Sequence, residues 1–338
     1  MTRTSRSPTF TRFVAAVVMA TAGLVQLALA GDVQKPDRTP QFSGLAQLEL
    51  GSSLSTLETG LLNDARDGHW DEHTLFAAAL IASGVSSDAQ LRGTCDLFAV
   101  FAAELKAELK NEAHLSPTWQ QNAERTLAFL HRRLLRGGYD LYATELPELL
   151  TTGRFNCVSA TVLFNSLAAE AGLHVGALRL PNHTCTELLD DERRIRIEAT
   201  CTDWSAASAR SRDLADSTGE TPFAASPQAQ SEPPEAISDV ALVAMIYYNR
   251  GVEALKRSDF AQAILLNRLA LALDAQNSSA RGNMLAAINK QALKLSARRQ
   301  FALALELVDE GLAIDATHVP LQQNRAYIDR LRITSEAN

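Results

Sequence analysis

Apolar positions recur at helical spacing over two long stretches of the chain, with a short strand-like region between them. From about Leu45 to Leu135, Leu75, Ala78, Ala79 and Ile81-Ala82 repeat every three to four residues, as do Leu97, Phe101, Leu105 and Leu109, which predicts helices. Ser116-Pro117 predicts a helix start before Thr118–Arg136, and Gly137-Gly138 predicts its end. After the loop residues Thr151-Thr152-Gly153, Val158, Val162, Leu163, Leu167, Ala168 and Ala171 form another helical stripe that stops at Gly172. His174–Leu180, His183–Leu188 and Arg194–Thr200 then read as three strands, broken at Pro181-Asn182 and at an acidic turn over Leu189–Arg193. Helical periodicity resumes at Ala236 and runs to the end.

The segments outside these patterns divide the chain. Residues 2–12 are polar and basic, and Phe13–Leu29 is apolar except at Thr21, Gly23 and Gln26. It ends in Ala28-Leu29-Ala30, the small-x-small pattern a signal peptidase accepts. This predicts a signal peptide over residues 1–30 and export, in a bacterium to the periplasm. The alternative is a membrane anchor through residues 13–30. Residues 31–44 lack periodicity and read as a flexible lead-in. Residues 45–204 form the body, and Ser205–Glu235, rich in Ser, Ala, Pro, Asp and Gln, reads as a disordered linker before a helical region over 236–338.

Composition narrows the class. With 46% apolar and 21% charged residues, the chain can bury a core, which excludes a disordered, collagen-like or polytopic membrane protein. Loss of residues 1–30 would remove three arginines and no acid, taking 32 basic against 39 acidic side chains to 29 against 39, a net −10. A surface that acidic repels phosphate backbones, so nucleic acid is not an expected partner. Membrane contact is expected only if the amino-terminal segment stays attached. No nucleotide loop or cofactor motif is present, and no cofactor is expected. Export would place Cys95, Cys157, Cys185 and Cys201 in an oxidising compartment, where one bridge at most is expected and its pairing stays open.

The carboxy-terminal helices repeat. Aligning Phe260–Ala275 on Phe301–Ala316 gives eight identities in 16 positions, among them Phe260/Phe301, Ala263/Ala304, Leu271/Leu312 and Asp274/Asp315. Tyr247, Gly251, Phe260, Ala263 and Ala270 stand at tetratricopeptide spacing, and the region over about residues 244–318 resembles such an array. The copies lie 41 residues apart (260 to 301) rather than roughly 34, and Ile288, Ala292 and Gly311 depart from the pattern. Two units are few for independent stability, so the array should lean on the rest of the chain or on a second copy. The resemblance implies a protein or peptide partner.

Candidate chemistry gathers at Cys157. The predicted helix puts it in the first turn, where free amides and the helix dipole favour an anion and hence a thiolate. A buried structural cysteine is the competing reading. If the strand pair places Glu187 opposite Arg194, opposite charges face each other, Cys185 faces Arg196 and His183 faces Glu198. A nucleophile, a base and an orienting acid would then converge.

Gly153-Arg154-Phe155-Asn156-Cys157-Val158-Ser159-Ala160-Thr161, then Pro181-Asn182-His183, then Ile197-Glu198-Ala199-Thr200-Cys201, resembles the transglutaminase-like cysteine enzyme superfamily over about Gly138–Trp204. The resemblance implies an α+β fold: a helical amino-terminal region, a small papain/transglutaminase-like core, then the all-α repeats. It implies Cys157 as nucleophile, His183 as general base and acid, and Glu198, where the superfamily more often has Asp, as the group orienting the imidazole. The implied function is a cysteine hydrolase or acyltransferase acting on amide bonds. Backbone amides at Cys157 and the Asn156 side chain are candidate oxyanion donors. The alternative is a non-catalytic scaffold of the same fold. A third option, zinc hydrolysis, rests on His69-Trp70-Asp71-Glu72-His73, which matches His-x-x-Glu-His, although Asp71 as a helix N-cap explains the segment more simply.

Overall fold

Ser55 opens α1 (Thr56–Asp64) with a capping box: its hydroxyl accepts from Glu58 N–H while the Glu58 carboxylate accepts from Ser55 N–H. A computed structural model describes residues 54–111, 118–190, 193–203 and 233–336, so the expected signal peptide, the lead-in and most of the expected linker lie outside the described residues. Among the described residues no helix is long and apolar enough to cross a membrane. Thr74 caps α2 (Leu75–Ala82), which is apolar on every side and therefore buried. The expected cap Asp71 lies upstream of that helix. α3 (Asp88–Asn111) and α4 (Trp119–Arg133) follow, the latter started by a Thr118–Gln121 capping box rather than at Ser116-Pro117, which lie outside the described residues.

Gly137 then lets the chain cross itself. Here β1 (Gly138–Tyr139), α5 (Leu146–Thr152) and β2 (Arg154–Phe155) fold back so that β1 and β2 pair in parallel, Tyr139 beside Phe155. A Cβ on Gly137 would stand 2.5 Å from Thr152 O and 2.6 Å from Arg154 N, a space only glycine fits. Sequence alone assigns Gly137-Gly138 merely to the end of a helix.

α6 (Cys157–Glu170) is the centre of the fold. The sequence predicts one apolar stripe, yet every side chain from Cys157 to Ala168 is buried. The helix packs between α2, α3, α4 and a later helix on one side and a sheet on the other. Small residues allow the close approach, and its buried polar side chains other than Ser166 are paired. Asn165 accepts from Thr186 Oγ1 (2.6 Å) and donates to Gly176 O (3.2 Å), while Thr161 donates to Thr184 O (3.4 Å). Those bonds fix α6 on the sheet.

The sheet is antiparallel, in the order β5-β4-β3-β6, from β3 (Val175–Leu180), β4 (His183–Asp190), β5 (Arg193–Ile197) and β6 (Glu235–Ile237). Pro181-Asn182 makes the expected break between β3 and β4, with Asn182 in the left-handed region (φ 59°) that asparagine tolerates. The acidic turn is shorter than expected, because β4 continues to pair Asp190 with Arg193. Glu187 therefore faces Arg196, a register two residues away from the expected Glu187–Arg194 pairing. The ion pair survives diagonally, Arg194 Nη1 to Glu187 Oε2 at 3.2 Å. β6 is a second departure: Ala236, expected to begin the helical region, lies in a strand hydrogen-bonded to β3.

The remaining helices are α7 (Asp239–Lys256), α8 (Phe260–Leu273), α9 (Ser278–Ala297), α10 (Phe301–Ile314) and α11 (Val319–Glu336). Each packs on the next, and α9 also touches α7 and α11. α8 and α10 begin and end at equivalent residues of the aligned copies. The long spacing between copies is absorbed by the 20-residue α9. α7 is buried against α2, α6 and β3, so the array is built onto the core. Arg250 donates to Ala82 O (2.6 Å) and Glu145 Oε1 (2.9 Å), and Arg179 of β3 reaches Asp274 after α8 (2.5 Å).

Candidate active site

Asn156 places Cys157. Its side chain accepts from Ser159 N–H (3.0 Å), and Ser159 Oγ accepts from Asn156 N–H (3.0 Å), a box that starts α6 at Cys157 as its first residue. Asn156 Nδ2 also donates to Leu141 O (3.1 Å) and to Thr144 Oγ1. Both amide hydrogens are thereby engaged, so the expectation of Asn156 as an oxyanion donor is corrected: it is a buried cap. Thr144 in turn accepts from Asn249 Nδ2 of α7 (3.0 Å), linking the helical array to the same cap.

The structure brings Cys157, His183 and Glu198 together. His183 opens β4, where its Nε2 hydrogen-bonds Glu198 Oε2, and the thiol of Cys157 lies within hydrogen-bonding reach of the same imidazole. With Nε2 taken by the carboxylate, Nδ1 is the nitrogen left for the thiol. Glu198 sits just beyond the last β4–β5 pair, Thr186–Ile197, so it meets His183 diagonally rather than directly across. A two-residue shift of register keeps each side chain on its original face, which is why the contact survives the altered pairing.

Glu198 is held on its other oxygen. Oε1 accepts from Thr200 Oγ1 (2.6 Å) and Thr200 N–H (3.2 Å). Burial opposes its charge, but the bonds to His183 and Thr200 outweigh that and keep the carboxyl below its ordinary value. Burial likewise disfavours the His183 imidazolium; hydrogen bonds to Cys157 and Glu198, with their negative charge, overcome it and push His183 up to about 10. Because this is a raised base, the stability its proton confers is complete below about 6.5 and is lost as pH rises through about 10.

Three further residues escape sequence reasoning. Tyr139 of β1 puts its hydroxyl within hydrogen-bonding reach of the Cys157 thiol while its ring packs edge-on against Phe155. Thr200 is the second partner of Glu198. His131 of α4 donates from Nε2 to Ala199 O (2.9 Å) and so fixes the residue after Glu198; burial lowers its pKa and favours the neutral ring. Only Thr200, inside the Ile-Glu-x-Thr-Cys segment, carries a local signal.

Cys157 is 7% exposed, while the His183 side chain is 28% exposed and Tyr139 50%. Cys185 lies nearby but is sealed; burial, then the charge of Glu198, pushes its thiol up to about 12, so it stays protonated. None of the four cysteines forms a disulfide. The His69–His73 segment is organised by Asp64, whose carboxylate accepts from the backbone of Asp71, Glu72 and His73 and from His73 Nδ1 (2.7 Å). Among the described residues no group of three or more His, Cys, Asp or Glu side chains is placed to hold a metal ion.

Compared with protein-family models, with curated proteins and with solved structures, the chain matches none.

Proposed function

We propose that the protein is a thiol acyl-transfer enzyme, a transglutaminase-like cysteine hydrolase or acyltransferase acting on amide bonds. One observation carries the reading: His183 lies between the thiol of the first residue of α6 and a buried carboxylate held by Thr200. In this mechanism Cys157 and His183 stand as a thiolate–imidazolium pair: His183 already holds the thiol's proton as sulfur attacks the carbonyl carbon, then gives it to the leaving group. Glu198 holds the ring and balances the imidazolium. Water or an amine resolves the thioester. Export to the periplasm belongs to the same proposal, as does a peptide or protein partner for the tetratricopeptide-like helices. The exposed side chains Leu303, Val319, Tyr327 and Ile333 on α10 and α11 support such a contact.

The test is acetylation by p-nitrophenyl acetate, read as a burst of nitrophenolate and as an acetyl group on the Cys157 peptide. The expected result is one acetyl on Cys157, lost in Cys157→Ser. No acetyl on Cys157 in the native protein contradicts the proposal and favours a non-catalytic scaffold.

A further inference from the structure

Acyl transfer to a thiol drives the carbonyl electron pair onto oxygen, and the resulting oxyanion needs donors already in place. The N–H of Cys157, in the first turn of α6, has the right position for one. The obvious second, Asn156, is fully engaged as a cap. Another donor is required.

We propose that the Tyr139 hydroxyl is that donor, resting on the Cys157 sulfur in the free protein and turning to the substrate's carbonyl oxygen once sulfur has attacked. This rests on the acyl-transfer reading and adds a catalytic residue to it. Proximity is the first support. The oxygen that becomes charged is bonded to the same carbon as the sulfur, so it forms within about 3 Å of it, on the side of a hydroxyl that neighbours the sulfur. Placement is the second. The β1–β2 pairing sets Tyr139 beside Phe155, two residues before Cys157, and Asp140 N–H donates to Phe155 O (2.8 Å), so the backbone under the ring is fixed. Exposure is the third, since a half-exposed ring is open to a carbonyl arriving from solvent. Finally, burial and the nearby charges of Cys157 and Glu198 push the phenol above its ordinary value, so it keeps the proton a donor must have.

Two reagents separate this role from others. With p-nitrophenyl acetate, sulfur bonds to the acyl carbon, the π pair passes to oxygen, and collapse expels p-nitrophenolate to leave an acetyl thioester. Iodoacetamide is attacked at a saturated carbon and loses iodide, so no oxyanion forms. In the full-length chain, Tyr139→Phe keeps the ring and its packing on Phe155. It is expected to slow acetylation of Cys157 about 100-fold and to change its alkylation by less than about 3-fold, both read by peptide mass. Equal or faster acetylation in Tyr139→Phe overturns the proposal, the faster case meaning that the hydroxyl blocks the thiol. Equal slowing of both reactions also overturns it, because Tyr139 would then act on the thiol alone. If the native protein is not acetylated on Cys157, the acyl-transfer reading falls and takes Tyr139's role with it. That outcome is distinct from native protein and variant acetylating alike.

Discussion

Replacing His183 with alanine is expected to slow acetylation of Cys157 by about 10²–10⁴-fold, the range a positioned general base supplies. The ring contributes in two ways. In the proposed mechanism it holds the thiol proton, and its charge, balanced by Glu198, stabilises the anion on sulfur. Alanine removes both. His183 lies at the hairpin end of β4 with its side chain 28% exposed, so its loss leaves the core packing in place. Nitrophenolate burst rates of native protein and His183→Ala give the comparison. A difference under about 3-fold would mean that the imidazole takes no part in the chemistry.

Asn156→Ala is expected to destabilise the fold by about 3 kcal/mol. Loss of an N-cap costs about 1 kcal/mol. The buried groups left without a partner, among them Ser159 N–H and Leu141 O, add roughly 1–3 kcal/mol. Urea unfolding should show a lower midpoint at an unchanged slope. A midpoint shift equivalent to less than about 1 kcal/mol would show that the Thr144–Asn156–Ser159 bonds are replaceable, as by water. Thr144 is also bonded to Asn249 of α7, so the same substitution should loosen the contact between α6 and the carboxy-terminal helices.

What the sequence makes legible is what neighbouring residues decide. Asn156 and Ser159 are three apart and start α6 between them, so the position of Cys157 at a helix start follows from its own segment. Phe260 and Phe301 begin equivalent helices because each copy carries the same local pattern. Pro181-Asn182 marks the hairpin that delivers His183. The β4–β5 register escapes because charge pairing is a weak guide there. Pairing continues to Asp190–Arg193 at the expense of a directly opposed Glu187–Arg194 pair, which finds a diagonal contact anyway.

Contacts that join distant segments leave no such mark. Nothing around Tyr139 or His131 announces that one faces a thiol 18 positions later (139 to 157) or that the other bonds Ala199, 68 positions later. The expectation of Asn156 as an oxyanion donor fails for the same reason. Its cap role is local, but its Nδ2 is bound by Leu141 O and Thr144, across the chain crossing that Gly137 permits. β6 is three residues long, too short to display an alternation, and becomes a strand only because β3 has an open edge.

The most direct test of the central claim is the rate of iodoacetamide alkylation at Cys157 against pH, with His183→Ala beside the native protein. Burial opposes the His183 charge, but its bonds to Cys157 and Glu198 let it keep a proton up to about 10, so on the proposed reading an imidazolium faces the sulfur over the whole assay range. The native rate is therefore expected to stay nearly level from about pH 6.5 to 9, while His183→Ala climbs through about 8.5 as an ordinary thiol does. A native profile that climbs with the variant's would contradict a thiolate–imidazolium pair and with it the reading of this site as an enzyme.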